Sequence, residues 1–317
     1  MNTQQLTNNI IWNTVGNIFY LGCQWLLSVI VVRISGSYAD AGVLSLAMSV
    51  TGIFVILSGF NVRNYQVSDL ENRYTQADYL AHRCITCIVG FVLCMVFALC
   101  NNYKAAVALS IIGYMLMRTV EALADVFHGI LQKQWRFDII GKSCLYRGVA
   151  LLLVFSLVYK VSANLWLSLF SMALLTSVVF VLYDFRLVCR LTKVSSSFNN
   201  EKLIQLTKDC LPLLVYIFFL NLIVPTARFF IERYHGEEIL GYYGSVASIA
   251  VIVQATVGLI FTPLNGIISD YYAKGNNKAI LGLSGKITLL LALVTALVLA
   301  GAWLLGEPVL VLLFGES

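Results

Sequence analysis

Residues 41–62 read AGVLSLAMSVTGIFVILSGFNV, an apolar run that contains no Asp, Glu, Lys or Arg. A helix of about 20 apolar residues is long enough to cross the hydrocarbon core of a bilayer. The run is continuously apolar and does not alternate with polar residues, which favours a helix over a barrel strand. This stretch therefore predicts a membrane-spanning helix.

Similar runs recur along the whole chain. The predicted spans are 10–33, 40–62, 84–101, 105–127, 143–160, 163–185, 209–231, 239–262 and 282–303, and a tenth begins near 308. Hydrophobic residues make up 59% of the 317 residues and charged residues only 12%, whereas a soluble domain carries roughly 25% charged residues. We therefore expect an all-α polytopic membrane protein with about nine or ten transmembrane helices and a two-bundle transporter fold.

The charged loops predict an orientation. Loops 63–83, 128–142, 186–208 and 263–281 are long and basic, whereas loops 34–39, 102–104, 161–162 and 232–238 are short. Counted with the adjoining helix ends, the long loops hold fourteen Lys and Arg and the short loops four. The positive-inside rule therefore places the long loops and the N-terminus in the cytoplasm. The net charge of +5 is spread over these loops, so we expect no nucleic-acid partner.

The N-terminal residues MNTQQLTNN contain no basic region and no small-residue cleavage site. A removable signal peptide needs both. We therefore expect the first span to remain as a membrane anchor.

Two parts of the chain resemble each other. Arg33 and Gly36 precede a Gly-led apolar helix that carries serines, and Arg233 and Gly236 precede a similar helix. Both copies begin on the same predicted side of the membrane. This pattern predicts a parallel repeat about an axis along the membrane normal.

The repeat leads to a domain prediction. We expect an N-terminal six-helix bundle over 1–185, a cytoplasmic linker over 186–208 and a C-terminal helix bundle over 209–317. A span that starts at Pro308 has about ten residues before the chain ends, which is too short to cross a bilayer. We therefore expect the second bundle to be incomplete in this sequence.

The first span carries a polar face. Its members are spaced by 4, 3, 4 and 4 residues and share one side of a helix, namely Asn13, Asn17, Tyr20, Gln24 and Ser28. Lipid would penalise such a face, so it is expected to line a wet cavity or to contact other helices. Hydrogen bonds that only hold the bundle together are the alternative.

The fourth span carries charges on one face. Arg118, Glu121 and Asp125 stand at i, i+3 and i+7. A charge at the centre of a membrane helix costs about 2.5–3.5 kcal/mol on insertion scales, so such residues usually serve a function. Arg118 is predicted to line a cavity. Asp125 and His128 lie nearer the helix end, where local pairing or snorkelling is the alternative.

Two more arginines lie in or near predicted spans. Arg147 stands one turn into the fifth span. Its side chain either snorkels to the membrane interface or lines a cavity, and the sequence does not decide between these alternatives. The seventh span contains Pro225, Arg228 and Glu232, and Pro225 predicts a kink close to Arg228. Broken helices beside a charge are common in transporter sites. An Arg228–Glu232 ion pair at the interface is the alternative.

Several enzyme signatures are missing. The sequence has no G-x-x-x-x-G-K-[ST] loop, no H-E-x-x-H and no G-x-S-x-G. The short outer loops leave little room for catalytic groups. Cys84 and Cys87 form a C-x-x-C pair without a second pair or a nearby His, so a metal site is not expected. We predict a protein that is not an enzyme and that needs no cofactor.

Three stretches carry a resemblance to a known family. They are NTVGNIFYLGCQWLLSVIVVRISG with AGVLSLAMSVTGIF, RTVEALADVFHGILQKQWRFDIIGKSCLYRGVALLLVF, and the terminal VLVLLFGES. Within the second stretch the most typical residues are Gln132, Arg136, Asp138, Gly141, Ser143, Arg147 and Gly148. With these features, the chain resembles the polysaccharide flippases of the multidrug/oligosaccharidyl-lipid/polysaccharide exporter superfamily, of the O-antigen and capsule type.

The resemblance implies two helix bundles around a central cavity that opens alternately to each side. The implied cargo is an undecaprenyl-pyrophosphate-linked oligosaccharide repeat unit, which such proteins pass across the bacterial inner membrane. Membrane lipids, a polysaccharide polymerase and glycosyltransferases are the other implied partners. A drug or cation antiporter of the same superfamily is the first alternative. A membrane-embedded glycan polymerase or ligase and a non-transporting scaffold are the others.

The residues read above fit that cargo. Arginine binds phosphate oxygens with two parallel hydrogen bonds, so Arg118 with Arg147 or Arg228 is predicted to hold the pyrophosphate. The amides of the first span, Asn13, Asn17 and Gln24, suit sugar hydroxyls. Glu121 or Asp125 is predicted to pair with the arginines in the empty site or to carry a coupling proton.

Overall fold

The protein is helical throughout the part that the structure, a computed structural model, describes. That part comprises residues 3–69, 71–191, 200–273 and 277–314, with the side chains of 248–280 and of a few isolated positions left out. The helices are α1 Thr3–Ser35, α2 Tyr38–Gly59, α3 Val62–Ser68, α4 Gln76–Cys100, α5 Ala105–Lys133, α6 Phe137–Ser162, α7 Leu165–Val179, α8 Arg186–Leu191, α9 Asn200–Ala273 and α10 Asn277–Phe314. A π-helical turn, Phe180–Phe185, joins α7 to α8.

Eight segments within the described residues are long and apolar enough to cross a membrane. They are Thr7–Ser35, Tyr38–Ser68, Gln76–Cys100, Ala105–Lys133, Phe137–Ser162, Leu165–Arg190, Asn200–Ala247 and Leu281–Gly301. These segments confirm the prediction of an all-α polytopic membrane protein.

Helices α9 and α10 differ in detail from the spans predicted for that part of the chain. The backbone of α9 leaves the helical region at Gly236, with φ 85 and ψ 176, so α9 is two helices that meet there. They correspond to the predicted spans 209–231 and 239–262. Helix α10 runs through Pro308 to Phe314, so the predicted start of a tenth span lies inside a continuous helix. Most side chains of 239–262 lie outside the described residues.

Five helices close a ring. Helix α1 packs on α6, α6 on α7, α7 on α5, α5 on α2, and α2 on α1. Helix α4 lies against α2 and α5. The ring therefore has an interior to which α1, α5 and α6 can all contribute side chains.

Backbone contacts divide the chain into one unit over Met1–Gly244 and another over Ser245–Ser317. The first unit includes all six helices of the predicted N-terminal bundle, together with the start of α9. The predicted bounds of 1–185, 186–208 and 209–317 remain a prediction, and residues 192–199 of the linker lie outside the described part.

Helices α1 and α6 approach closely at two glycines. A Cβ atom added to Gly16 would lie 2.1 Å from the carbonyl oxygen of Gly141, and one added to Gly141 would lie 2.1 Å from that of Trp12. Small residues let membrane helices approach until their backbones touch. The polar face of α1 is held against the bundle by this crossing.

The two copies of the predicted repeat share a backbone feature. Gly36 has φ +63 and Gly236 has φ +85, a region that glycine adopts without strain. The helices that follow them cross at Gly42 and Gly241, where a Cβ on Gly241 would lie 2.0 Å from the carbonyl oxygen of Tyr38. The parallel repeat stays a prediction, with a glycine of positive φ at the same place in both copies.

The segment after α3 is organised by Asp69. The backbone N–H of Arg73 and the hydroxyl of Tyr79 donate hydrogen bonds to its carboxylate at 3.0 and 2.8 Å. Lys133 donates to its carbonyl oxygen at 2.8 Å. Burial raises the pKa of Asp69, but the hydrogen bonds from Arg73, Tyr79 and Tyr74 lower it more, so its pKa lies below 3.8.

These contacts predict a pH dependence. A carboxyl group with a lowered pKa stabilises the fold above its unfolded pKa, and this contribution is lost as the pH falls through the folded pKa. At pH 7, Asp69→Asn is expected to reduce the free energy of unfolding by about 1.5–3 kcal/mol, the range for hydrogen bonds to a charged group. The melting temperatures of wild type and variant, measured in detergent, should converge below pH about 4. The exposed Glu71→Gln serves as control, and a gap that stays constant from pH 7 to pH 3 would contradict the assignment.

Candidate functional site

The charged face of α5 supplies side chains to three clusters. The central cluster contains Arg118, Glu121 and Tyr20. The arginine–aspartate cluster contains Arg63, Arg83, Asp125 and Gln132. The buried network contains His128, Ser143, Arg147 and Asp184. All three use α5, but each has its own partner helices.

The central cluster joins α1 to α5 across the ring. Arg118 donates from Nη1 to the Oε2 atom of Glu121 at 2.6 Å, and the hydroxyl of Tyr20 bonds to the other carboxylate oxygen. Arg118 lies at the middle of α5 and remains partly exposed. Its guanidinium therefore keeps N–H groups that a bound anion could use.

The remaining polar face of α1 is only partly satisfied. Asn17 donates to the carbonyl oxygen and the side-chain oxygen of Asn13 at 2.8 and 3.0 Å, which are bonds within one helix. The Nε2 atom of Gln24 is buried and has no hydrogen-bond partner among the described residues. A buried amide donor without a hydrogen bond destabilises the fold unless a ligand or a water molecule accepts that bond.

The buried network ties α5, α6 and the π-helical turn together. Arg147 donates to Asp184 at 2.6 Å and to Ser143 at 2.9 Å. His128 and Ser143 also bond to the Asp184 carboxylate, at 3.2 and 3.0 Å. The side chains of Arg147 and Asp184 are 6% and 0% exposed. The Nη2 atom of Arg147 is thus shared among protein partners, and its guanidinium is far less exposed than that of Arg118.

The arginine–aspartate cluster lies where α2, α3, α4 and α5 meet. Asp125 accepts from Arg63 at 2.8 Å and from Arg83 at 3.1 Å. Arg63 also reaches Gln132 with two hydrogen bonds, at 3.0 and 3.3 Å. The alternative of local snorkelling does not describe Asp125, because its partners come from two other helices.

A cavity of about 460 Å³ opens beside this cluster. Its wall is formed by Val55, Ile56, Gly59, Asn61, Arg63, Asn64, Asp125, Gln132, Leu214 and Ile217. One part of that wall is apolar and another carries amide and guanidinium groups. This cavity is named the α2–α5 cavity below.

Arg228 stands apart from the three clusters. Its Nη1 atom donates to the hydroxyl of Ser49 at 3.4 Å, and its Nε atom is buried without a hydrogen bond among the described residues. Among the described residues it forms no ion pair within 4.0 Å, so the alternative Arg228–Glu232 pair is not formed. The backbone keeps helical φ and ψ at Pro225, and the kink at this proline stays a prediction. The break in α9 lies at Gly236, inside the predicted short loop 232–238.

The structure thus pairs Arg118 with Glu121, whereas Asp125, Arg147 and Arg228 form their hydrogen bonds with other residues. Sequence reasoning missed the partners Arg63, Arg83 and Asp184. A signal for Asp184 existed, since it is the only carboxylate in the predicted span 163–185. Arg63 and Arg83 were counted only as loop cations, because both stand at the ends of apolar runs.

The fold and these inward-facing ionisable clusters define a polytopic helical membrane protein with a transporter fold. The chain is structurally similar to an inward-facing conformation of a multidrug resistance MATE family transporter of the MOP superfamily, with a TM-score of 0.70. The match covers 92% of this chain and 72% of that chain at 14% sequence identity, so it speaks for the fold alone.

A family model described as "Polysaccharide biosynthesis protein" matches residues 6–271, and the chain belongs to this family. The capsular polysaccharide biosynthesis protein CapF of Staphylococcus aureus is 24% identical over 330 aligned positions. These positions cover 98% of this chain and 78% of that protein. The predicted resemblance to proteins of polysaccharide and capsule biosynthesis is confirmed by these two matches.

Proposed function

We propose that the chain moves undecaprenyl-pyrophosphate-linked oligosaccharide repeat units across the bacterial inner membrane by alternating access. The family and the transporter fold support movement of a substrate in polysaccharide biosynthesis. The N-terminus and the long basic loops face the cytoplasm in this proposal, as the positive-inside rule requires. Membrane lipids surround the protein, and a polysaccharide polymerase and glycosyltransferases are its proposed partners.

The observation that carries the proposal is the central cluster. A guanidinium at the middle of a membrane-length helix would be strongly unfavourable in lipid. Glu121 neutralises Arg118 through an ion pair of 2.6 Å. An anionic diphosphate can replace that carboxylate, because the planar guanidinium matches phosphate oxygens as well as carboxylate oxygens. Glu121 is then free to accept a proton, which is its proposed coupling role.

The other predicted residues take different parts in the proposal. Arg228 lacks an acidic partner among the described residues, so it is the second proposed contact for the diphosphate. Asn13, Asn17 and Gln24 offer amides to sugar hydroxyls, and the unpaired Nε2 atom of Gln24 supports this. Arg147 is proposed to hold the bundle rather than the ligand, because it is buried among Asp184, Ser143 and His128.

The first prediction concerns Arg118. In a bacterium that lacks its own flippase, this chain should restore surface polysaccharide, and Arg118→Ala should reduce it by at least about tenfold, since a charge-assisted hydrogen bond contributes roughly 1.5–3 kcal/mol. Arg118→Lys should be intermediate because it keeps the charge without the planar fork. The exposed Arg73→Ala is the matched control.

Membrane levels of each variant would be measured in the same cells, so that loss of folding is not mistaken for loss of transport. Full polysaccharide export by both Arg118→Ala and Arg228→Ala would overturn the proposed diphosphate contact.

The mid-span carboxylate Glu121 also favours a second candidate, a drug or cation antiporter. Such a protein needs a membrane carboxylate that releases its ion during each cycle. Dye efflux that depends on a cation gradient and is lost in Glu121→Gln, without any polysaccharide phenotype, would favour this candidate. Growth of glycan chains by the purified protein alone would instead favour a polymerase or ligase.

A further inference from the structure

The α2–α5 cavity combines two kinds of wall. One part is apolar and consists of Val55, Ile56, Leu214 and Ile217. The other lining residues carry hydrogen-bonding groups and are Asn61, Arg63, Asn64, Asp125 and Gln132. A ligand that fills this space needs an apolar portion and a polar, hydrogen-bonding portion in the same molecule.

The polar wall carries a spare positive charge. Asp125 is shared by two arginines, at 2.8 and 3.1 Å. Arg83 is 1% exposed, whereas Arg63 is 29% exposed and borders the cavity. Two guanidinium groups and one carboxylate leave a net charge of +1, and the accessible member of the pair is Arg63.

Arg83 is fixed in place by the end of α2. It donates to the carbonyl oxygens of Gly59 and Ser58 at 2.5 and 3.3 Å, which are the orphan acceptors of a helix C-terminus. Asp125 would therefore keep one buried cationic partner if Arg63 turned away. Moving Arg63 to a ligand does not leave the carboxylate without a counter-charge, so the exchange avoids the main penalty of breaking an ion pair.

The backbone at the cavity edge is strained. Phe60 and Asn61 are consecutive non-glycine residues with φ 45 and 53. Such conformations persist only where the surrounding structure enforces them, and they cluster at binding sites. They place Asn61 on the cavity wall, where its Nδ2 atom is buried without a hydrogen-bond partner among the described residues. A donor is therefore left for a ligand.

We propose that the α2–α5 cavity is a docking site for the diphosphate headgroup of a polyprenyl-linked saccharide, separate from the central cluster. Arg63 exchanges Asp125 for a phosphate oxygen, and the amides of Asn61, Asn64 and Gln132 hydrogen-bond the headgroup. Leu214 and Ile217 contact the first apolar units of the lipid. This inference deepens the proposed function and rests on it.

Direct binding to the purified full chain in detergent tests the proposal. Undecaprenyl pyrophosphate is one probe and inorganic pyrophosphate the other, each titrated against wild type, Arg63→Gln, Asp125→Asn and Arg73→Gln. Arg63→Gln should weaken binding of both probes at least about tenfold, the loss of one charge-assisted contact. Asp125→Asn should tighten it severalfold in the folded protein, because Arg63 is released. The same variant leaves Arg83 without its counter-charge, so its melting curve is measured alongside. Arg73→Gln, an exposed arginine paired with Glu71, should bind as the wild type does.

The apolar wall has its own test. Ile217→Ala should weaken binding of undecaprenyl pyrophosphate and leave binding of inorganic pyrophosphate unchanged. Equal affinities of the wild type for the two probes would overturn lipid recognition at this cavity. Arg63→Gln retains the Asp125–Arg83 pair, so it is expected to fold, and a melting curve would verify that.

The outcomes separate this inference from the proposed function. Tight lipid binding by wild type that Arg63→Gln and Asp125→Asn leave unchanged would overturn the cavity site and leave the proposed substrate standing. Absence of lipid binding in every form of the protein, wild type included, would overturn both.

Discussion

Asp184→Asn is expected to reduce the free energy of unfolding by about 3–5 kcal/mol, the range for removing one partner of a buried ion pair. The carboxylate accepts from Arg147 at 2.6 Å, from Ser143 at 3.0 Å and from His128 at 3.2 Å, and it is fully buried. Its loss leaves the Arg147 guanidinium in a low-dielectric interior without a counter-charge. The variant should therefore accumulate poorly in the membrane and melt at a much lower temperature in detergent.

Asp138→Asn is the matched control, because Asp138 pairs with Arg136 in a more exposed place, at 2.9 Å. Its effect should stay within about 1 kcal/mol, as for most surface pairs. A double variant, Arg147→Met with Asp184→Leu, should recover much of the lost stability, since an apolar pair can replace a buried ion pair. Equal melting temperatures for Asp184→Asn and wild type would contradict the structural role of the network.

Gly16→Val is expected to disrupt the packing of α1 on α6. A Cβ atom at Gly16 would stand 2.1 Å from the Gly141 carbonyl oxygen, 2.6 Å from its carbonyl carbon and 2.6 Å from its Cα atom. All three are backbone atoms, so the helices must separate. The expected loss is roughly 3 kcal/mol, the upper end of the range for overpacking. Because α1 carries Tyr20, polysaccharide export should fall together with stability.

Gly22→Val in the same helix is the control. A Cβ atom at Gly22 meets nothing within 4 Å, and valine also has a higher helix propensity than glycine. Gly22→Val should therefore melt at or above the wild-type temperature, whereas Gly16→Val should melt well below it. Equal effects of the two substitutions would show that the close crossing of α1 and α6 does not decide stability.

The site was predictable in outline from its residues. The spacing of Arg118, Glu121 and Asp125 puts three charges on one helical face, and charges in a membrane span must be paired or wet. The pairing of Arg118 with Glu121 could be predicted from the sequence, because residues at i and i+3 are neighbours on a helix. The partners of Asp125 could not be predicted in this way, since Arg63 and Arg83 lie 62 and 42 residues away in the chain.

The sequence by itself determined the class of protein. Long apolar runs leave a chain no way to satisfy its backbone in lipid except as helices, so the spans follow from composition. The predicted short loops 34–39 and 232–238 likewise contain the glycines of positive φ, Gly36 and Gly236, at which two helices end. The spans and their ends depend on residues that are close together in the sequence, so the sequence is enough to predict them.

Only the tertiary structure decided which charged groups meet. Asp184 reaches Arg147 from the π-helical turn Phe180–Phe185, whose extra residue rotates the side chains that follow it. Gly16 meets Gly141 because two helices far apart in sequence cross there. The physical reason is that interhelical contacts depend on the rotation and crossing of whole helices. That geometry is set by all of their packing together and by no single stretch of residues.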